Sequence, residues 1–423
     1  MQLLRKKEIV ILVFILIACL TYAHLRNVYF IGADDNWMLL NNYYVTHTSG
    51  YSPDYFVRIF KRIFDIQYSP LNTLYYSFVY KIHGFDAYYY HLFNFVVHLL
   101  SAGLVFLLSK RILSLFGYKK AGIISVLTAL LWCVHPLNVE PVVWISGSKI
   151  LWCTLFTLVA ILLFMDGVLE NALGKMALSV FAFAISFFFK EQALLTPIVL
   201  TLLLFVMYRV KGREITPGAR KGVAVLALMY ASLVPFAMIT YAANNIDHSY
   251  IPMDHYSLWQ RVVWCFYCLS FYVNNLFLPF NLHYHYPYPF SSTQAFPVVY
   301  YIYPFIFLSF IVFLVRGAYR SNVFLFYLLC IGIACIEISI ELQILPMTRP
   351  AIVADRYMYL PSFPLILLCL VLVFDAFRKI SVTPRIKWVM RLFLFLYVLF
   401  LMSYSNQLVD NWKQLNVIGW SRN

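Results

Sequence analysis

Charge is what this 423-residue sequence has least of: Asp, Glu, Lys and Arg together make up 12% of it. Soluble domains carry about 25% charged and about 45–50% apolar residues. With an apolar share of 62%, the chain is not a soluble globular protein. No run alternates apolar and polar residues as the strands of a membrane barrel would. No glycine-rich loop offers a nucleotide-binding signature. Cysteine does not form a framework either. The eight cysteines lie almost entirely in apolar segments, as small hydrophobes do, and Cys265-Phe-Tyr-Cys268 has no second pair to complete a zinc or redox site. No small-residue cleavage site follows the first apolar run, so Arg5-Lys6-Lys7 and the residues after them read as a retained first span. No internal repeat, coiled coil or low-complexity stretch is present. The net charge of +14 comes without a basic stripe or a soluble domain to carry it. Retention of Lys and Arg on the cytoplasmic side explains that excess, and nucleic acid is not expected as a partner.

What the sequence has in abundance is apolar runs of roughly 16–22 residues, the length that crosses about 30 Å of hydrocarbon as helix. The fold class is therefore an all-α polytopic membrane protein. Eleven spans are expected, near residues 9–25, 91–108, 121–139, 150–166, 175–189, 192–208, 222–243, 298–315, 321–341, 360–376 and 388–404. The run 258–279 contains Arg261, Asn274 and Asn275, and counting it as a span would expose the later basic clusters; it reads as an outer-face interfacial or re-entrant helix. With that topology, twenty of the 32 basic residues but only five of the 18 acids fall on the cytoplasmic side, a bias strong enough to set orientation. Residues 1–404 form the transmembrane domain, and 405–423 are expected as a short outer-face tail.

The longest segment without a span is 27–90. In it Phe56, Ile59, Phe60, Ile63 and Phe64 recur at helical spacing, with Arg58, Lys61, Arg62 and Asp65 on the other face, the pattern of a helix lying in the interface. After Ser69-Pro70, the residues Leu71, Leu74, Tyr75, Phe78 and Ile82 suggest a second.

The polar residues that interrupt apolar sequence gather on the outer side. They are Asp34 and Asp35; His135 and Glu140 with Lys149 behind them; Lys190 and Glu191; and Asp355, Arg356 and Tyr357. A charge near the bilayer centre costs on the order of 2.5–3.5 kcal/mol, so charges kept at span mouths have partners or work. Grouped on one face, they suggest a single polar cavity. A carboxylate can take the proton of an acceptor hydroxyl attacking a sugar's anomeric carbon. Lys190 and Arg356 can neutralise a phosphate leaving group, Arg through a bidentate fork and Lys as a point charge.

The motifs in order are Ala33-Asp34-Asp35-Asn36, Tyr68-Ser69-Pro70-Leu71, Tyr90-His91-Leu92-Phe93-Asn94 with His98, His135-Pro136-x-x-x-Glu140 with Ile145-Ser146-Gly147, Phe189-Lys190-Glu191, and Ala354-Asp355-Arg356-Tyr357-Met358-Tyr359-Leu360-Pro361-Ser362. This series resembles the transmembrane O-mannosyltransferases that carry tetratricopeptide repeats, and their bacterial relatives, within the GT-C superfamily of polyprenyl-phosphate-sugar transferases. The resemblance implies a GT-C type helix bundle and an aspartate of the first outer loop, Asp34 with Asp35 as its neighbour, as catalytic base. It implies an inverting transfer from a polyprenyl-phosphate sugar in the lipid bilayer to a protein or glycan acceptor. Donor phosphate would meet Lys190, Arg356 and Tyr357, while His135, Glu140, Lys149, Glu191 and Asp355 would complete the cavity. The family often has a second histidine where Asn138 stands, and arginine at the positions of Asn36 and Ser148. The lack of repeats points to a bacterial inner membrane with the site facing the periplasm, an endoplasmic reticulum lumen being the other setting. No cofactor is expected; a divalent cation is conceivable in the family but only Asp34 and Asp35 resemble a ligand set.

Two other readings have sequence support. Glu337 and Glu341, four apart on one helix face, could couple transport in a transporter or lipid flippase, although internal repeats are absent; pairing with Arg349 or a place in a polar cavity wall is the simpler expectation. An O-antigen-type polymerase or ligase would place its large outer loop between late spans, whereas here the longest loop is the first. His283-x-His285 lacks a third ligand nearby.

Overall fold

The computed structural model describes residues 2–32, 34–47, 50–61, 67–244, 256–280, 282–344, 351–379 and 383–414. It is an all-α, multi-pass bundle, with one two-stranded ribbon as its only sheet among those residues. The long helices are α1 (Gln2–Thr21), α2 (Pro53–Lys61), α3 (Pro70–His83), α4 (Ala87–Leu115), α5 (Ala121–Val134), α6 (Ser148–Glu170), α7 (Leu173–Phe189), α8 (Thr196–Val210) and α9 (Pro217–Asn244). They continue with α10 (Leu258–Phe277), α11 (Val298–Arg320), α12 (Asn322–Ile338), α13 (Ser362–Lys379) and α14 (Pro384–Gln414).

Eight helical stretches among the described residues are long and apolar enough to cross a membrane, nine if the bent pair Ala121–Val134 and Pro136–Val143 is one span. That is fewer than the eleven expected. The remaining two expected spans are helices as well: α7 has 17 residues, short of a full crossing, and α13 has 18. The third expected span breaks because Pro136 lacks an N–H and disfavours helical backbone at His135, so the chain bends by 58° there. α10 carries Arg261 and does not pass as a span. The outer tail expected from residue 405 begins as helix, since α14 runs unbroken to Gln414; residues 415–423 lie outside the described part.

Side-chain contacts test the assignment of sides independently of charge. Ends placed in the cytoplasm meet each other: Arg111 pairs with Asp166 at 3.1 Å, Tyr118 donates to Asp375, and Arg209 donates to the carbonyls of Ala318 and Tyr319. Ends placed outside also meet each other: His24 lies 2.6 Å from Asp410, and Ser146 is bonded to Asp35. These contacts group the helix ends into the same two sets that the expected topology gives.

The segment 27–90 is helical where expected, but the buried face of its second helix differs in part from the apolar face read from spacing. α2 buries Tyr55 and Ile59; Ile63, Phe64, Arg62 and Asp65 lie outside the described residues. In α3 the residues turned into the protein are Asn72, Tyr76, Ser77 and Val79, while Phe78 and Ile82 are exposed. Of the apolar face read from spacing, Phe78 and Ile82 face outward while Leu71 and Tyr75 pack against the bundle, and the polar Asn72 and Ser77 join it. In a membrane protein the solvent for apolar groups is outside, so this orientation is the stable one.

Candidate functional site

Four sequence-distant segments meet at one end of the bundle, and the backbone of each is pinned by buried polar side chains. His98 donates from Nε2 to the Cys133 carbonyl and accepts from the Tyr359 hydroxyl at Nδ1. His91 Nε2 reaches the Val28 carbonyl at 3.1 Å. Asn94 donates to the carbonyls of Val142 and Trp144. The Tyr90–His98 motif therefore holds the segments that lead to Asp34 and to Trp144. His135 belongs with this group: its Nδ1 accepts from Leu137 N–H and its Nε2 donates to the Leu276 carbonyl. Both ring nitrogens are used in fixing the break after α5.

Asp35 is fully buried. Its Oδ2 accepts the Ile31 N–H and its Oδ1 accepts the Ser146 N–H, both at 2.9 Å, along with the Ser146 hydroxyl. This tie joins the first loop to the Ile145-Ser146-Gly147 turn. Only glycine fits at 147, because a Cβ there would stand 2.6 Å from the Pro141 carbonyl oxygen. Burial pushes the Asp35 carboxyl up to about 6, against the opposing pull of its bonds to Ser146 and Ile31. The folded state thus holds this proton more tightly than the unfolded chain, whose carboxyl titrates near 3.9. Stability should fall as pH rises from about 4 to about 6 and level off above, by at most about 3 kcal/mol from this group. The difference in thermal midpoint between wild type and Asp35→Asn in nanodiscs should shrink over that window and stay constant above it. Parallel curves throughout would remove the assignment.

Asp34, the adjacent carboxylate, has a different setting. It is 32% exposed, accepts from the Trp37 indole N–H at 3.3 Å, and lies 4.0 Å from Lys149 Nζ. Lys149 stands in the first turn of α6, 7% exposed, and donates to Gln67 Oε1 at 2.6 Å. The charges of Asp34, Lys190, Glu191 and Arg356 all bear on it. The four polar groups expected to converge are therefore within electrostatic reach of one ammonium.

Each cation has a carboxylate. Arg356 donates from its guanidinium to Glu140 Oε1, while its backbone N–H donates to Glu140 Oε2 at 2.8 Å. Its Cζ lies over the rings of Trp144 and Tyr357, 5.0 Å from each centroid. Burial works against its charge, and Glu140 more than offsets that. Lys190 is extended at the break between α7 and the next turn, where its Nζ lies 3.2 Å from Glu341 and 3.4 Å from Glu191. Asp355 accepts from the Tyr286 hydroxyl at 2.9 Å, and burial and then Glu140 hold its carboxyl well above the usual range.

Spacing missed the aromatic wall. The ribbon β1 (Tyr286–Pro287) pairs antiparallel with β2 (Ala351–Val353), so segment 282–290 lies beside Arg356. Tyr284 feels the charges of Asp34, Arg356 and Glu140, and its ring packs edge-on to Trp144 at 5.8 Å and Trp412 at 5.3 Å. The signal available was the aromatic run His283–Pro289 itself. Glu337 and Glu341 do not act as a pair: Glu341 is joined to Lys190, and Glu337 is buried one turn away with Oε1 lacking a hydrogen-bond partner among the described residues. Arg349 lies outside the described residues.

The fold and these contacts define an integral, multi-pass α-helical membrane protein with a charged, aromatic-walled site at one end. No family model matches the chain. Protein O-mannosyl-transferase F38B6.6 of Caenorhabditis elegans is 30% identical over 129 residues, covering 30% of this chain and 18% of that protein. The chain thus spans less than a fifth of that relative's length, and the similarity supports a relationship to a glycosyltransferase.

Proposed function

We propose that the chain is a membrane glycosyltransferase of GT-C type. It moves a sugar from a polyprenyl-phosphate carrier to a protein or glycan hydroxyl at the non-cytoplasmic face, in a bacterial inner membrane the periplasmic one. The observation that supports this most is the contrast between neighbours: Asp35 is saturated by backbone and Ser146, while Asp34 stays half-open beside a buried lysine. The general base in this reading is Asp34, and Asp35 holds the loop that presents it.

The acceptor hydroxyl attacks the anomeric carbon from the face opposite the phosphate, and Asp34 takes its proton. The bond from the anomeric carbon to the phosphate oxygen breaks, and polyprenyl phosphate departs with the electron pair. A single displacement of this kind inverts the configuration. Arg356, placed over the Trp144 ring, keeps guanidinium N–H groups beyond those on Glu140, and with Tyr357, Lys149 and Lys190 it offsets the charge developing on the phosphate. Trp144 and Tyr284 supply faces on which a pyranose can stack.

Polyprenyl phosphate is the shared product of every such donor, so its binding tests the reading without knowing the sugar. Native mass spectrometry of the purified protein should detect retained polyprenyl phosphate or its sugar ester, with binding weakened in Arg356→Gln. A folded protein that binds neither polyprenyl phosphate nor any polyprenyl-phosphate hexose or pentose would sink the proposal.

A further inference from the structure

At the opposite end of the bundle, on the side assigned to the cytoplasm, α11 and α12 meet at a sharp turn and enclose a cavity of about 770 Å³. We propose that this cleft holds an anionic phospholipid of the cytoplasmic leaflet, with its phosphodiester on Arg316 and Arg320 and an acyl chain along the apolar wall. The inference does not rest on sugar transfer.

Arg316 and Arg320 are four residues apart, on one face of the last turns of α11, and both line the cleft. Three cations on this side are occupied, Arg111 by Asp166, Lys175 by Glu170 and Arg209 by two carbonyls, and none of them lines the cleft. Arg316 and Arg320 have no ion-pair or hydrogen-bond partner among the described residues, and no acid lines the cleft. The third positive contribution is the start of α12. Ser321 caps it by accepting the Val323 N–H at 3.2 Å, and lies on the cleft wall, so the helix's positive end faces the arginines.

The rest of the wall fits a lipid rather than a free anion. Leu308, Val312 and Phe313 are exposed along α11 in the direction of the membrane interior, continuous with the two guanidinium groups. Phe324 closes the floor, and it can approach because residue 317 is glycine: a Cβ there would stand 2.4 Å from its ring. A row of apolar side chains ending in paired cations at the cytoplasmic boundary is the recognition pattern for an acidic headgroup with its chain attached.

The test uses the full chain in vesicles of equal phosphatidylglycerol and phosphatidylcholine, extracted gently and weighed intact. Wild type should retain phosphatidylglycerol in preference to phosphatidylcholine. Arg316→Gln/Arg320→Gln should lose that preference by about fivefold for each arginine removed. Arg316→Lys/Arg320→Lys should keep most of it, and millimolar inorganic phosphate should not displace the lipid. Both positions are exposed at a helix end, so the variants are expected to fold, and an unchanged thermal midpoint checks this. Equal retention of the two lipids by wild type, undiminished phosphatidylglycerol on the Gln variant, or displacement by phosphate would each overturn the proposal. So would a loss in the Lys variant as large as in the Gln variant.

Discussion

Asp34→Asn should leave the protein folded in the membrane and reduce sugar transfer by about 10²–10⁴-fold, the contribution of a positioned general base. The geometry makes this substitution clean. Asp34 keeps one bond from Trp37 and one distant ammonium, at 4.0 Å, so an amide of the same shape disturbs little packing. Lys149 retains its bond to Gln67 in the variant, which limits the cost of removing a nearby carboxylate. Asp35→Asn differs in kind. An amide there must present Nδ2 to a donor, either the Ile31 N–H or the Ser146 pair, and the loop carrying Asp34 loosens. The discriminating measurement is transfer of label from a polyprenyl-phosphate sugar alongside thermal unfolding. Asp34→Asn should lose turnover with its melting midpoint intact, and Asp35→Asn should lose both together. Full turnover in Asp34→Asn would transfer the base role elsewhere in the cluster, whatever Asp35→Asn does.

Much of this arrangement could be read from the chain. Apolar run length yields the spans, because a membrane asks only for apolar length and closed backbone bonding. Charge bias gives an expectation for the sides, and the convergence of Asp34, Lys149, Glu140 and Arg356 follows from scarce polar residues having one end of the bundle to occupy. What could not be read is who partners whom. Glu341 meets Lys190 across 151 residues and Glu140 meets Arg356 across 216, and an isolated charge in an apolar run carries no mark of its counter-ion. The same limit applies to α3, where spacing finds an apolar face but cannot tell whether lipid or protein lies against it. The difference between Asp34 and Asp35 is harder still. Adjacent identical residues differ only because backbone direction at the Asn36–Leu40 turn sends one inward to Ser146 and the other toward the opening.

The closure of the site around its cations changes what their removal should do. Lys190 and Arg356 are each already paired with a carboxylate, so under the proposed function a donor phosphate would share Arg356 with Glu140. Such sharing would suit a leaving group that must also depart. Lys190 lies deepest, 4% exposed, and its tie to Glu341 joins the break after α7 to the end of α12. Its first role is to hold those two helix ends together, and its field reaches the site through Lys149.

The largest stability effect should follow from Glu140. Its side chain is 3% exposed, and its two oxygens take the guanidinium and the backbone N–H of Arg356. Glu140→Ala leaves a buried N–H without an acceptor and a mostly buried guanidinium without a counter-charge, a loss on the order of 3–5 kcal/mol. Glu140→Gln keeps an acceptor for the N–H but not the charge, so it should fall between. Arg356→Met alone leaves Glu140 without its counter-charge near Asp355, whose carboxyl Glu140 already helps push up. In Glu140→Gln/Arg356→Met neither charge remains, and part of the loss should return. Melting midpoints of the four proteins close a double-mutant cycle, with a coupling of about 1–3 kcal/mol expected for residues in direct contact. Additive losses would mean that the pair does not act as a unit. The Trp144 ring under the guanidinium, rather than the carboxylate, would then be what fixes Arg356 over the site.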